Sequence, residues 1–498
     1  HRSIGLDVTM QVQMKASEVE ARFTPPLLQP VKDFASVWFK HADLMTFHDP
    51  LAATTIFDDN ICGFTRGKVE IELQSEKLRG VTHFTPNENG PHEIASTVNR
   101  EYFLDHYFSV FKYCKDYNLL AVPLFVLMGQ LLNQSGVAGR LFDNLSVALG
   151  RQRGGMAIAA TLIAILFAAT TGIVGASVVS MGLLFTMPML DAKYNKSLTA
   201  GVIISGGTLG ILIPPSIMLV FMGSAANVSV GKLFYGAMTP GVLLGVAYIV
   251  YVKVISIVKK DYAPPMPEEV LSRYSKKQIA WGIVVNVLPV AIVIFSVLGA
   301  IWFGWCPATE AAALGVAASF IIALCTHSIN KQVIKKTLVE SIKLTSMVYA
   351  VSAFGNLFVT VFMRLGCSSA VTSLFVNLPF GKWGIFALMM AVVFLLGFLM
   401  DWIAVCMITI PIFVPIATQV GFQAEYFLTM MAVIMQTAFL SPPMAASIFY
   451  FQGVAKDHIT TAETIRGVWP FMGLQVLVFI LCIIFPQIVT WLPNMIIS

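Results

Sequence analysis

From Leu119 onward the chain is a succession of apolar runs separated by short polar stretches. The runs fall at about 119–133, 155–173, 175–190, 198–224, 237–258, 279–304, 308–326, 344–363, 384–400, 402–418, 427–451 and 468–492. Many are shorter than the roughly 20 residues a helix needs to cross a bilayer. Several carry Gly or Pro in the middle. Short, interrupted runs predict discontinuous helices and re-entrant hairpins. The stretch "GGTLGILIPPSIMLVFMG" (206–223) holds adjacent prolines, Pro214 and Pro215. Each removes a backbone donor and clashes with the carbonyl one turn back. In lipid the freed carbonyls would stay unsatisfied at a cost of several kcal/mol each, so this break belongs inside protein or beside a water-filled cavity.

Before residue 119 the pattern changes. "GKVEIELQSEKLRGVTHF" (67–84) alternates, with Val69, Ile71 and Leu73 on one face and Glu70 and Glu72 on the other, which predicts a β-hairpin. "FHDPLAATTIF" (47–57) predicts a helix start with Pro50 in its first turn. The expected architecture is a small α/β soluble piece, residues 1–110, followed by a mainly α polytopic membrane body, residues 111–498.

Composition sharpens this division. The chain has 498 residues, mean hydropathy +0.77 and 12% charged residues. Residues 1–118 hold 16 of the 27 acidic groups and six of the eight histidines. The net charge of +5 does not indicate nucleic acid, because the basic residues sit in short connections between apolar runs. Two connections are rich in Lys and Arg, 259–277 and 327–343, and two candidate spans separate them. The positive-inside rule puts both in the cytoplasm and "CPATEAAA" (306–313) on the other side. The seven cysteines have no metal-ligand spacing and read as small apolar residues. No GxxxxGK[ST] phosphate loop is present, so energy must come from an ion gradient or a partner chain.

The body also repeats. In the first half Gly172 is followed by "FTMPML" (185–190), "GILIPPS" (210–216) and "MTPGV" (238–242). In the second Gly397 is followed by "ITIPIF" (408–413), "FLSPPMA" (439–445) and "VWPFM" (468–472). Two repeats, about 119–258 and 344–492, are therefore expected to contain re-entrant hairpins. A helix broken inside the membrane presents amides that attract a carboxylate and carbonyls that attract a small cation. The pairs Pro214–Pro215 and Pro442–Pro443 are expected to hold two hairpin tips facing each other over one site. The candidate substrate and ion positions are Gly172, Gly175, Ser177, Gly206, Gly207, Thr208, Pro214 and Pro215, with Asp401, Thr437, Ser441, Pro442 and Pro443. The hydroxyls of Ser177, Thr208 and Ser441 suit a hard cation such as Na⁺. Asp401, in "GFLMDWIAV", reads equally as a cation or coupling group and as a helix N-cap at a bend. Glu310 suits a first helical turn, and Arg364 an interface.

"NLLAVPLFVLMGQLLNQSGVAGRL" (118–141), "GGTLGILIPPSI" (206–217), "TPGVLL" (239–244), "PATEAAA" (307–313) and "FLSPPMA" (439–445) resemble the large membrane subunit of TRAP transporters, over about residues 112–498. "FLSPP", with "MDWIAV" upstream, looks most like the mannitol, chloroaromatic or 2-oxo acid branch. The resemblance implies a multi-pass protein of the bacterial inner membrane. It implies Na⁺-coupled import of a small organic anion with no cofactor, inverted repeats and an elevator movement. An extracytoplasmic substrate-binding protein and a small membrane subunit are the implied partners. The family's opening helices, ahead of "NLLAVPLF", are expected to be missing here, shortening the scaffold.

"GLDVTMQVQM" (5–14), "FHDPLAATTIF" (47–57) and the alternating 67–84 stretch, taken in order, resemble the C-terminal part of inosine–uridine-preferring nucleoside hydrolases, over about residues 1–108. The resemblance implies that Asp49 helps hold Ca²⁺ and that His48 assists the departing base. One carboxylate cannot replace a site of six to eight oxygens. The head is therefore expected to be a catalytically silent remnant. The alternative is a nucleoside hydrolase carrying a membrane anchor.

Overall fold

The computed structural model describes every residue except 1, 25–27, 56, 57, 59, 76–80, 114–116, 173, 273, 327, 377, 378, 443, 444, 497 and 498. It divides into two compact units, residues 1–117 and 118–498.

The first unit runs β1 (Arg2–Ser3), α1 (Leu6–Thr9), β2 (Gln13–Lys15), α2 (Ala16–Arg22), α3 (Gln29–Trp38) and β3 (Leu44–Thr46). It continues α4 (His48–Thr54), β4 (Cys62–Ile71), β5 (Thr82–Pro86), β6 (His92–Val98) and α5 (Arg100–Tyr113). One sheet has the order β1-β6-β4-β5, with β1 parallel to β6 and the other pairs antiparallel; β2 and β3 form a separate antiparallel pair. Val8, Val12, Phe47, Leu51 and Phe103 are buried in its core. The predicted hairpin forms, with Val69 opposite Phe84 and Ile71 opposite Thr82. Its apolar face is not buried to the end: Ile71 and Leu73 are 58% and 67% exposed. The reason is register. β6 pairs with β4 only as far as Gly67, so from Lys68 to Ile71 β4 is paired with β5 alone. α4 starts at His48, with Pro50 in its first turn as expected.

The second unit is helical. Its first half holds α6 (Ala121–Gln134), α7 (Val137–Leu149), α8 (Gly155–Thr171), α9 (Val174–Asp191), α10 (Lys196–Thr208), α11 (Ile217–Ala226) and α12 (Val230–Val258). Then come α13 (Glu268–Leu271), α14 (Lys276–Ile294), α15 (Ala300–Trp302), α16 (Ala308–Cys325), α17 (Lys331–Arg364) and α18 (Cys367–Val376). The last set is α19 (Gly381–Leu399), α20 (Trp402–Gln419), α21 (Ala424–Leu440), α22 (Ala446–Ala455), α23 (Thr461–Ile484) and α24 (Gln487–Ile496). Among the described residues, eight helices are long and apolar enough to cross a membrane, with α14 and α15 counted as one. The 327–343 connection is not a loop from Lys331 on. The Asn330 side chain caps α17 by accepting from Val333 N at 2.8 Å, and the helix carries its lysines past the apolar stretch.

Hydrogen bonds at the helix ends show which segments turn back and which cross. At the base of α8, Met156 N donates to the Tyr194 hydroxyl at 3.2 Å, so α8 and α9 form a hairpin. Gly154 N donates to Ala263 O (3.1 Å) and Asn195 N to Tyr262 O (2.8 Å), which ties both ends of that hairpin to the chain just past α12. α12 has 29 residues, about 43 Å of helix, enough to cross the whole hydrocarbon layer. α10 starts beside the end of α12, and α11 stops just before the start of α12, so α10 and α11 together cross in two pieces.

The second half does the same from the other face. Lys382 Nζ donates to Gly421 O at 2.6 Å and sits 4.2 Å from the centre of the Phe422 ring, so α19 and α20 form a hairpin. α21 starts beside the first turn of α12, where Lys232 Nζ lies 3.8 Å from Glu425 Oε1. Near the start of α23, Gly467 packs on Ser197 and Gly201 of α10, at the opposite face. α21 and α22 therefore also cross in two pieces. The double prolines were expected at hairpin tips. Pro214 and Pro215 lie instead in the first interrupted crossing and Pro442 just past α21 in the second, and the hairpin tips are Gly172 and Met400–Asp401.

Candidate functional site

The first hairpin tip meets the first interrupted crossing. Gly172 ends α8 in the left-handed region, φ +59°, which favours glycine. A Cβ there would lie 3.2 Å from Ile217 Cγ1 and 3.3 Å from Ile217 N, at the first residue of α11. The break itself, Leu212 to Ser216, is buried, Pro214 and Pro215 included. Ser216 closes it: its hydroxyl donates to Ile211 O at 2.6 Å and accepts from Leu219 N at 3.4 Å. Thr208 is fully buried and its hydroxyl donates to Ser205 O at 2.8 Å. Ser177, in the second turn of α9, lines a small cavity of about 20 Å³ with Asn133, Phe167, Gly206 and Gly207. Gly207 lets α10 approach α9 closely, since a Cβ there would be 2.5 Å from Val178 Cγ2.

The second tip is built from different residues on the same plan. Asp401 is the N-cap of α20, its carboxylate accepting from Ile403 N at 3.2 Å. It lines a cavity of about 170 Å³ with Gly397, Trp402, Ala438, Phe439 and Ala446. That cavity joins the tip of the second hairpin to the second interrupted crossing. The Ser447 hydroxyl donates to Phe439 O and spans this break as Ser216 spans the first. The Ser441 hydroxyl donates to Thr437 O at 2.8 Å and lies 3.0 Å from Met472 Sδ. Thr437 is 1% exposed, and its hydroxyl has no hydrogen-bond partner among the described residues. Pro442 is half-buried; Pro443 lies outside the described residues.

The two halves clasp each other. α9, the outgoing arm of the first hairpin, packs on α22; α20, the corresponding arm of the second, packs on α11. A Cβ at Gly175 of α9 would lie 3.1 Å from the Tyr450 ring of α22. Phe221 of α11 and Trp402 of α20 meet edge to face, centroids 5.7 Å apart. At both breaks two helix ends meet in the apolar interior, a C-terminal end on one side and an N-terminal end on the other.

Sequence reasoning missed Ser216, Ser447, Tyr450 and Gln436. Ser216 was legible as a cap following two prolines. Gln436 is fully buried, and neither its amide oxygen nor its nitrogen has a partner among the described residues. It lies one turn before the end of α21, where buried amides are ordinarily hydrogen-bonded.

In the first unit, His48 Nδ1 lies 2.7 Å from Thr9 Oγ1. Asp49 follows it in α4; its side chain lies outside the described set. Among the described residues no group of three or more His, Cys, Asp or Glu could hold a metal ion.

Residues 101–488 match the family model described as "Tripartite ATP-independent periplasmic transporter, DctM component". The C4-dicarboxylate TRAP transporter large permease protein of Pseudomonas aeruginosa is 33% identical over 77% of this chain and 88% of its own length. The protein of the same description from Vibrio cholerae is 30% identical over 76% and 86%. The sialic acid TRAP transporter permease of Haemophilus influenzae is 29% identical over 76% of this chain and 60% of its own. A solved structure, the YdaH transporter of Alcanivorax borkumensis, aligns with TM-score 0.43 and 12% identity over 88% of this chain and 96% of its own, too distant to add weight. With the family model spanning most of the helical unit and eight candidate membrane crossings in the fold, the chain belongs to the DctM large-permease family of tripartite ATP-independent periplasmic transporters and is a multi-pass protein of the inner membrane.

Proposed function

We propose that the chain is the membrane subunit of a Na⁺-coupled importer for a small organic anion of the dicarboxylate or 2-oxo acid class. The observation that carries this reading is the meeting of each hairpin tip with an interrupted crossing, Gly172 with Ile217 and Asp401 with Phe439 and Ala446. Converging amides suit the carboxylate of the solute, and converging carbonyls with hydroxyl and carboxylate oxygens suit Na⁺. Relatives named for C4-dicarboxylate and sialic acid agree with a carboxylate cargo.

In this reading residues 119–258 and 344–492 are inverted repeats, since their hairpins open on opposite faces. The Lys259 face is cytoplasmic by its charge. The hairpins and interrupted crossings form the moving part of an elevator, and an extracytoplasmic binding protein and a small membrane subunit complete the assembly. For the head, the nucleoside hydrolase resemblance rests on its motifs alone; the family model begins at residue 101. We read it as catalytically silent.

The test is uptake of labelled C4-dicarboxylates and 2-oxo acids into proteoliposomes holding this chain, its small subunit and its binding protein. Uptake that follows an imposed Na⁺ gradient supports the reading. Uptake of no such acid, or uptake indifferent to Na⁺, contradicts it.

A further inference from the structure

At the Lys232 end of α12, away from both breaks, lies a separate polar cavity of about 210 Å³. Lys232, Gly236, Glu425, Thr429, Thr490 and Asn494 are among its lining. Lys232 and Glu425 stand 3.8 Å apart, beyond the roughly 2.7–3.2 Å of a direct N–H···O bond, and both side chains reach solvent. Thr429 lies deeper. It is 1% exposed, and its hydroxyl has no partner among the described residues. Gly236 keeps this pocket open, because a Cβ there would sit 3.0 Å from Thr429 Oγ1. The first turn of α21 also borders the cavity, and its N-cap, Gln423, makes no side-chain cap bond. The lining thus offers one cation, one anion, the N-terminal amides of α21 and hydroxyls, with no net formal charge. That set is complementary to a zwitterion.

Position narrows the choice. α24 covers the cavity with Thr490 and Asn494 while Trp491 and Met495 stay exposed on its other side. An amphipathic helix with an outward Trp lies at the level of lipid headgroups. We propose that this cavity binds a phosphoethanolamine group, its phosphate on Lys232, the α21 amides and the Thr429 hydroxyl, its ammonium on Glu425. The site is independent of the transported solute.

Native mass spectrometry of the full-length protein tests this, by titration with phosphatidylethanolamine, phosphatidylglycerol and phosphatidylcholine of identical short acyl chains. The wild type should bind the ethanolamine lipid roughly tenfold more tightly than either other lipid, as charge-assisted hydrogen bonds imply. Glu425→Gln should erase that preference, and Lys232→Gln should weaken binding of the ethanolamine lipid and phosphatidylglycerol alike. Thr429→Val, nearly isosteric, should weaken binding with an unchanged melting temperature. Competition with free phosphoethanolamine separates the sources: displacement assigns a soluble zwitterion, retention of the lipid assigns the membrane. Equal binding of the three lipids by wild type, or a preference that survives both charge substitutions, overturns the proposal.

Discussion

The α-carbon of Gly175 faces the ring of Tyr450 so closely that a single added carbon would sit 3.1 Å from it. Gly175 belongs to the first half's hairpin and Tyr450 to the second half's interrupted crossing. The contact is therefore a joint between the halves. Gly175→Val should push α9 off α22 and lower uptake by at least about tenfold, since overpacking a tight helix contact costs roughly 1–3 kcal/mol. Tyr450→Ala in the same chain should restore part of the loss. A double-mutant cycle on uptake and melting temperature checks this.

Gly172 carries a different constraint. Its positive φ costs an alanine about 1 kcal/mol or more, and the new Cβ would press on Ile217. Gly172→Ala should reduce the maximal uptake rate more than it reduces thermal stability. Uptake and unfolding measured on one preparation distinguish this from general misfolding.

Asp401 can be divided into its two roles. Asn caps a helix about as well as Asp, so Asp401→Asn keeps the bond to Ile403 N and loses only the charge. Stability should change by less than about 0.5 kcal/mol. If the carboxylate also serves the cation, the Na⁺ concentration for half-maximal uptake should rise at least about tenfold, equivalent to about 1.4 kcal/mol. An unchanged Na⁺ dependence would leave Asp401 a cap alone.

Where α10 crosses α23, a Cβ at Gly467 would lie 1.9 Å from Ser197 O. This is backbone-to-backbone packing through a small residue. Gly467→Ala should cost about 1–3 kcal/mol and lower the melting temperature of the purified protein. It should do so without a selective effect on Na⁺ dependence, because the contact lies away from both tips.

Much of this was legible in the chain. The apolar runs coincide with nearly every long helix, and Pro214, Pro215 and Pro442 signalled interruptions, although they read as hairpin tips and not as broken crossings. Sequence did not reveal which pairs of short helices turn back and which cross. α8–α9 and α10–α11 both read as apolar stretches around a glycine or proline interruption. The difference lies in contacts far apart in sequence, such as Gly154 with Ala263 and Lys382 with Gly421. Asp401 was legible as an acid in an apolar run and as a candidate N-cap, but its cavity became apparent only with the fold. Gln436 was hidden because a lone polar residue in an apolar helix carries no periodic signal.

Each hairpin clasps the interrupted crossing of the other half, α9 against α22 and α20 against α11. Treatment of native membranes with a short bis-methanethiosulfonate, which links two thiols through reducible disulfides, tests this most directly in Phe221→Cys with Trp402→Cys in a chain otherwise free of cysteine. Efficient cross-linking within one chain is expected, since the two rings meet 5.7 Å apart between centroids, together with loss of uptake that returns on reduction. Absence of the cross-link, in protein that still transports, would contradict it.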